Sequence, residues 1–149
     1  WKFHSVHHSV KSMDWIVSNK VHAVELILTR GIIIIPLRVL GFDPLVISSY
    51  FIILYFYSSF HHSNVKFSLN WMNYLFVTPR FHHWHHAIEK EAINKNLAIH
   101  FPILDIIFGT YYLPKNIWPK GYGIHKNSMP SGFFHQLIYP FKMILLKLF

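Results

Sequence analysis

The stretch His82-His83-Trp84-His85-His86 decides how this chain must fold, because its histidines require partners from elsewhere in the sequence. On an α-helix, offsets of three and four residues place His82, His85 and His86 on one face, so three imidazoles can point at one metal ion. The same H-x-x-H-H spacing occurs in His4-Ser5-Val6-His7-His8. Two such boxes predict two facing triads of metal ligands: His4, His7 and His8, and His82, His85 and His86.

The composition favours a membrane protein whose metal chemistry rests on histidine. Of the 149 residues, 52% are hydrophobic and only 13% are charged, which is more apolar than an average soluble domain. Cysteine is absent, which excludes disulfides, iron–sulfur clusters and thiolate zinc sites. The six acidic residues form no Glu-x-x-His motif, so a carboxylate-rich di-iron bundle is a poor match. A mostly all-histidine centre remains.

The formal charge of +8 does not indicate nucleic-acid binding. Lysines and arginines are scattered singly, and no basic cluster alternates with aromatic residues. These charges fit a membrane surface better, because Lys and Arg gather on the cytoplasmic side of membrane spans. The first residue is Trp1 rather than Met, so we expect the start of the protein to lie upstream.

Two apolar segments predict a helical hairpin in the bilayer, over residues 22–60 approximately. The first, 22–40, contains Arg30, whose charge costs about 3 kcal/mol at the centre of a span. That helix should therefore start shallow, tilt, or hide Arg30 against protein. The second, 44–60, contains no charged residue and follows a turn signal at 41–44. A hairpin that enters and leaves on one side brings both histidine boxes to the same, cytoplasmic face.

We therefore predict an all-α membrane protein with a single domain over 1–149, in which a transmembrane helical hairpin carries a cytoplasmic helical cap. The cap comprises residues 1–20, expected to form a helix, and residues 61–124. Within it, Thr78-Pro79 should precede a new helix. The apolar segment 133–149 fits an interfacial helix better than a span.

A series of motifs, in a fixed order, runs through nearly the whole chain. Its members are Trp1-Lys2-Phe3-His4-Ser5-Val6-His7-His8-Ser9, Met13-Asp14-Trp15, His22-Ala23-Val24-Glu25, His62-Ser63-Asn64-Val65, Pro79-Arg80-Phe81-His82-His83-Trp84-His85-His86, Asn94-Lys95-Asn96 and Leu104-Asp105-Ile106-Ile107-Phe108-Gly109-Thr110-Tyr111-Tyr112. This series resembles the fatty acid hydroxylase or sterol desaturase superfamily of integral-membrane di-iron enzymes. The resemblance implies that the six box histidines are metal ligands and that His62 is another. In that family an earlier H-x-x-x-H box precedes the first stretch, so we expect the metal site to be incomplete and this fragment to be inactive alone.

The predicted function is that of a membrane-bound di-iron oxygenase, an oxidoreductase that hydroxylates or desaturates a lipid with O₂ and an external electron donor. Imidazole suits iron, copper and zinc, so two iron ions are expected and zinc can replace them. The residues do not choose among sterol, fatty acyl, carotenoid and sphingolipid substrates. The alternative is a non-catalytic metal-binding membrane protein, either a degenerate relative or a metal carrier.

The remaining histidines carry weaker signals. His22 and His100 match the family pattern but are equally consistent with structural or ligand-orienting roles. Asp105 is expected to orient a histidine or cap a turn, and Trp84 to pack or anchor at the membrane. Structural or surface roles are predicted for His61, His83, His125 and His135.

Overall fold

The computed structural model describes residues 1–66, 70–124 and 129–146, and within these ranges the chain is helical and has no β-strand. The predicted all-α class is thus confirmed for the described residues. The α-helices are α1 (His4–His8), α2 (Ala23–Val39), α3 (Pro44–His62), α4 (Met72–Leu75), α5 (Pro79–His85), α6 (Ile103–Ile107) and α7 (Phe133–Leu145). Short 3₁₀ helices cover Trp15–Asn19 and Lys90–Ala92.

Among the described helices, α3 is the one whose length and composition would allow it to cross a membrane. It begins after Asp43, whose carboxylate accepts a hydrogen bond from the Leu45 amide at 2.7 Å, and Pro44 occupies the first turn. The side chains of Ile53 and Phe56 are 68% and 67% exposed. Protein therefore covers little of the middle of this apolar helix.

Helix α2 precedes α3 and is joined to it by a short turn, in which Gly41 has a φ of 85°. Its 17 residues rise about 26 Å, short of a hydrocarbon core of roughly 30 Å. The guanidinium carbon of Arg30 lies 4.4 Å from the centroid of the Phe51 ring on α3. Arg30 is therefore held against protein by a cation–π contact, which is one of the arrangements expected for a charge in this segment.

Residues 1–20 do not form the single helix that the sequence predicted. Helix α1 ends after one turn, where the Ser9 hydroxyl donates to the carbonyl of Val6 at 2.7 Å. The Asp14 carboxylate then caps the following 3₁₀ helix. Serine and aspartate offer the backbone alternative hydrogen bonds, and this competition explains the interruption. The bent path also lets three apolar side chains form a small core: Val10, Met13 and Val17.

Helix α3 connects the two regions that carry the histidine boxes. It packs against the 3₁₀ helix Trp15–Asn19 and against α5. The Tyr57 hydroxyl donates to the carbonyl of Val77 at 2.9 Å, and the Tyr50 hydroxyl lies 2.9 Å from His100 Nε2. The chain before and after α5 is thereby fastened along α3.

Helix α7 is amphipathic and lies against the region where α2 begins. His22 Nε2 donates to the carbonyl of Leu137 at 2.9 Å, and the Phe3 and Phe141 ring centroids are 5.4 Å apart. The predicted segment 133–149 is thus helical over Phe133–Leu145, whereas residues 147–149 lie outside the described residues. Its position at a membrane surface stays a prediction.

Candidate metal centre

Helix α5 presents the second histidine box, and its start is set by local sequence. The Thr78 hydroxyl accepts a hydrogen bond from the Phe81 amide at 3.3 Å, and Pro79 occupies the first turn, as Thr78-Pro79 predicted. The Phe81 side chain is fully buried and anchors the helix. Burial of Phe81 thus holds the turns of α5 that carry the histidines in place.

All seven predicted site residues converge, in two groups. Within each group the potential ligand atoms lie within 4.8 Å of one another. Group 1 comprises His7, His62, His82 and His86, and group 2 comprises His4, His8 and His85.

Each group draws on both boxes, which differs from the predicted pair of triads. In α5, His82 and His86 belong to group 1 and His85 to group 2; in α1, His4 and His8 belong to group 2 and His7 to group 1. At about 100° per residue, positions i and i+4 diverge by about 40° in one direction, and i+3 lies about 60° away in the other. The i and i+4 histidines of a box therefore share a group, and the i+3 histidine reaches across to the other.

The ring nitrogens within each group are in direct contact. In group 1, His62 Nε2 lies 3.0 Å from His7 Nε2 and 2.9 Å from His82 Nε2, and His82 Nε2 lies 3.1 Å from His86 Nε2. In group 2, His8 Nε2 lies 2.9 Å from His4 Nε2 and 3.1 Å from His85 Nε2. With metal–nitrogen bonds of roughly 2.1 Å, adjacent ligands of an octahedral ion stand about 3.0 Å apart. The observed spacing matches that value.

Backbone carbonyls orient three of these rings through the opposite nitrogen. His7 Nδ1 lies 3.1 Å from the carbonyl of Lys20, His62 Nδ1 lies 2.7 Å from that of Ser58, and His85 Nδ1 lies 3.1 Å from that of Lys95. A carbonyl can only accept, so each Nδ1 must donate a proton, and each neutral ring presents a lone pair at Nε2. This is the tautomer that a metal ligand requires.

The Nε2 lone pairs of His7 and His62 face each other, and this arrangement tests whether group 1 fits a metal ion. His7 and His62 both carry their proton on Nδ1, so no hydrogen bond can join their Nε2 atoms at 3.0 Å. Two lone pairs at that distance repel unless a cation lies between them. The residues present therefore fit a metal ion, and the all-imidazole donor set suits iron, copper or zinc.

Protonation does not relieve this repulsion, because burial keeps the rings neutral. Desolvation, reinforced by neighbouring histidines, lowers the pKa of His7 to about 3. Burial likewise lowers the pKa of His85 to about 4. The pKa values of His8, His82 and His86 are lowered for the same reason. At neutral pH these rings are unprotonated and able to bind a cation.

Glu25, which the sequence grouped with a motif but assigned no role, supports group 2. One of its carboxylate oxygens is hydrogen-bonded to His4 Nδ1. The other oxygen, Oε2, is buried and has no hydrogen-bond partner among the described residues. A carboxylate in this position fixes the ring and makes Nε2 more basic toward a metal. The signal available in the sequence was an acidic residue inside a mostly apolar helix start.

The Asn94-Lys95-Asn96 turn positions the carbonyl that orients His85. Asn94 and Asn96 adopt positive φ values of 58° and 55°, which asparagine tolerates better than most residues. The Asn96 side chain is buried and donates to the carbonyls of Phe81 and Tyr112 at 2.9 and 2.8 Å. The turn after the second box is thereby tied back onto α5.

The structure places His22, His100 and Asp105 outside the two groups. His22 caps α2 by accepting from the Val24 amide at 3.1 Å while its Nε2 bonds Leu137, so both its nitrogens are engaged. His100 lies against Tyr50. Asp105 accepts from the amides of Leu97 and Ala98, each at 2.8 Å, and caps a turn as predicted.

Three other aromatic side chains are buried and belong to neither group. His83 bonds the Tyr122 hydroxyl at 2.8 Å and the Ser63 carbonyl at 3.0 Å, as its predicted structural role requires. Trp84 is buried and donates to the carbonyl of Ile117, so it packs rather than anchors at a membrane. His61 is buried with its ring centroid 4.2 Å from that of His82, so it is not a surface residue. His135 is exposed, and His125 lies outside the described residues.

A comparison with known protein families matches most of this chain. Residues 1–110, which contain all seven histidines, match the family model described as fatty acid hydroxylase. The chain belongs to the fatty acid hydroxylase family. The resemblance inferred from the motifs is thus confirmed, and both histidine groups lie within the matched region.

A curated relative from Rhizobium tropici, the ornithine lipid hydroxylase OlsE, is 30% identical over 141 residues. The alignment covers 95% of this chain, and the chain spans 42% of the length of that relative. No solved structure matches the chain.

Proposed function

We propose that the protein carrying this chain is a membrane-bound oxygenase that hydroxylates a lipid and holds one metal ion in each histidine group. The observation that carries the proposal is the pair of opposed Nε2 lone pairs of His7 and His62. Ligands from α1, α3 and α5 would bind the first ion, and ligands from α1 and α5 the second. Iron is the proposed metal, and zinc can replace it because both accept imidazole.

Two redox-active irons, when bound, would supply the activation of O₂ needed to attack an unactivated C–H bond. Inserting one oxygen atom into that bond consumes O₂, two electrons from an external donor and two protons, and it releases one water. A metal ion in group 2 would have coordination positions beyond its three histidines, for O₂ or for ligands from the rest of the protein. Family membership and a relative named as a hydroxylase favour hydroxylation over desaturation.

The contribution of the chain itself is to orient the ligands and exclude water. The carbonyls of Lys20, Ser58 and Lys95 hold the rings in one tautomer, so no ligand must rotate or lose a proton when a metal binds. The rings of His8, His62 and His86 are buried. A buried site strengthens the interaction of neutral imidazoles with a cation, because water does not compete for it.

The lipid is proposed to reach the centre from the bilayer. His62 is the last residue of α3, so a group 1 histidine stands at the end of the apolar helix. A bilayer lipid beside that helix would need to travel little to meet the site. We retain the transmembrane hairpin of α2 and α3 and the cytoplasmic position of the histidines as part of this proposal, on the strength of the lysines and arginines outside the apolar segments.

The proposal is tested by metal analysis and lipid mass spectrometry on the intact protein. We expect close to two transition metals per chain and a lipid product heavier by one oxygen atom. His62→Ala and His85→Ala each remove one proposed ligand and should lower metal content and abolish product. The control His135→Ala changes an exposed histidine outside both groups and should retain both. Unchanged turnover in His85→Ala would refute the assignment, and metal binding without any oxidised lipid would favour a metal carrier.

A further inference from the structure

A cavity of about 570 Å³ lies between the bent segment 9–20 and the turn that leads into α7. Its lining combines polar and apolar side chains in equal measure and includes two cations and one carboxylate. The polar residues that matter here are Ser9, Lys11, Ser12, Asp14, Lys20 and Gln136.

Lys20 is the central cation of this cavity. Its side chain is half-buried, and its Nζ donates to the Ser9 hydroxyl at 2.8 Å. In the described part of the chain, no carboxylate comes within ion-pair distance of it. A partly desolvated ammonium with only a hydroxyl partner is stabilised by an anion that enters the cavity. Lys11 lines the same space and adds a second positive charge.

The cavity is connected to the centre at two points. Ser9 directly follows His8 of group 2, and the carbonyl of Lys20 accepts the hydrogen bond from Nδ1 of His7 in group 1. A group bound between the Ser9 hydroxyl and Lys20 Nζ would therefore lie close to both histidine groups. The substrate atom to be oxidised would need to be only a short distance from the anchored group.

The far side of the cavity is formed by residues 129–131 and by the first turn of α7. Gln136 lines it, while Phe133 and Phe134 of the same helix are 73% and 74% exposed. Aromatic side chains of that exposure suit the boundary between lipid and water. Because α7 is predicted to lie at a membrane surface, we favour a lipid headgroup over a free anion as the occupant of the cavity.

We propose that this cavity binds the polar headgroup of the lipid substrate, with its oxyanion against Lys20 and Lys11 and an ammonium against Asp14. This inference rests on the proposed function, because it assigns the substrate of that oxygenase to lipids with a zwitterionic headgroup. The two lysines supply charge-assisted hydrogen bonds to a carboxylate or phosphate. Asp14 supplies the complementary site that a purely anionic headgroup would not use.

The test compares lipid binding by the metal-loaded, intact protein in detergent micelles, without turnover. The probes are an ornithine lipid, which carries a carboxylate and an amine, and a diacylglycerol with the same acyl chains. We expect ornithine lipid to bind more tightly than diacylglycerol, and Lys11→Gln/Lys20→Gln to weaken its binding by roughly tenfold or more. Lys115→Gln/Lys120→Gln removes two exposed lysines elsewhere and should change nothing.

Metal content measured on the same samples shows whether the substitutions disturbed the centre. Lys20→Gln keeps the backbone carbonyl that orients His7, so metal content should be unchanged. Equal affinity of wild type and the cavity variant for ornithine lipid would overturn the inference. Competition by inorganic phosphate as effective as that by the lipid would also overturn it, because the cavity would then be a site for free anions. If lysine-dependent binding holds but no lipid is oxidised, the proposed function fails and the headgroup site stands.

Discussion

His62 Nε2, at the end of α3, lies 3.0 Å from His7 Nε2, in α1, and each ring donates its Nδ1 proton to a backbone carbonyl. The two residues are far apart in sequence, and neither carbonyl belongs to a conspicuous motif. Their contact links α1 to the end of α3, and His62 also contacts His82 of the second histidine box.

Glu25→Gln should weaken metal binding in group 2. The substitution keeps the shape of the side chain but removes the charge that polarises the His4 ring, and loss of such a partner typically costs about 10- to 100-fold in metal affinity. Chelator competition on the purified protein measures the change. Glu91→Gln, at an exposed position, is the matched control and should leave affinity as it was. Wild-type affinity in Glu25→Gln would show that the carboxylate is not needed to orient His4.

The metal-free protein should lose stability as pH falls below about 6.5. The pKa values of His7 and His85 are lowered to about 3 and about 4, mainly by burial, whereas the unfolded chain titrates near 6.5. Between those values the unfolded state binds more protons than the folded state, so the free energy of unfolding decreases with falling pH and is constant above the window. Each such histidine contributes about 1.4 kcal/mol per pH unit inside it.

Thermal unfolding of chelator-treated protein in detergent, followed by circular dichroism from neutral to mildly acidic pH, checks this expectation. His7→Asn removes one of the groups and should flatten the slope. A Tm that stays constant down to pH of about 4 would contradict the linkage. The buried rings shift protonation of the folded state to pH values below the ordinary histidine range near 6.5.

Asp105→Ala should destabilise the region beyond the second box by about 2–4 kcal/mol. The buried carboxylate accepts hydrogen bonds from the amides of Leu97 and Ala98, and its removal leaves those donors without a partner in the protein. A lowered Tm is the expected observation. Asp43→Ala removes an exposed helix cap and should cost only about 1 kcal/mol. Equal losses in the two variants would mean that the burial of Asp105 contributes little.

Much of the centre was predictable because the histidines of each box are only three or four residues apart in the sequence. The H-x-x-H-H boxes, the absence of cysteine and the order of the motifs led to an all-histidine metal site and to the family, and the uncharged run before His61 led to α3. These signals depend on local composition and on helical periodicity, which act over a few residues. The one local prediction that was wrong, a continuous helix over 1–20, overlooked how strongly Ser9 and Asp14 compete for backbone hydrogen bonds.

By itself, then, the sequence identified the histidines that the structure brings together, and it predicted the apolar helix α3. Only the tertiary structure decided how these residues divide into two interleaved groups, which carbonyls select the tautomers, and that Glu25 supports His4 whereas His22 and His100 stand apart. The reason is physical: ring orientation and the neutrality of a buried imidazole depend on contacts between distant segments. No periodicity in the sequence records those contacts, because they exist only once α3 has packed between the two boxes.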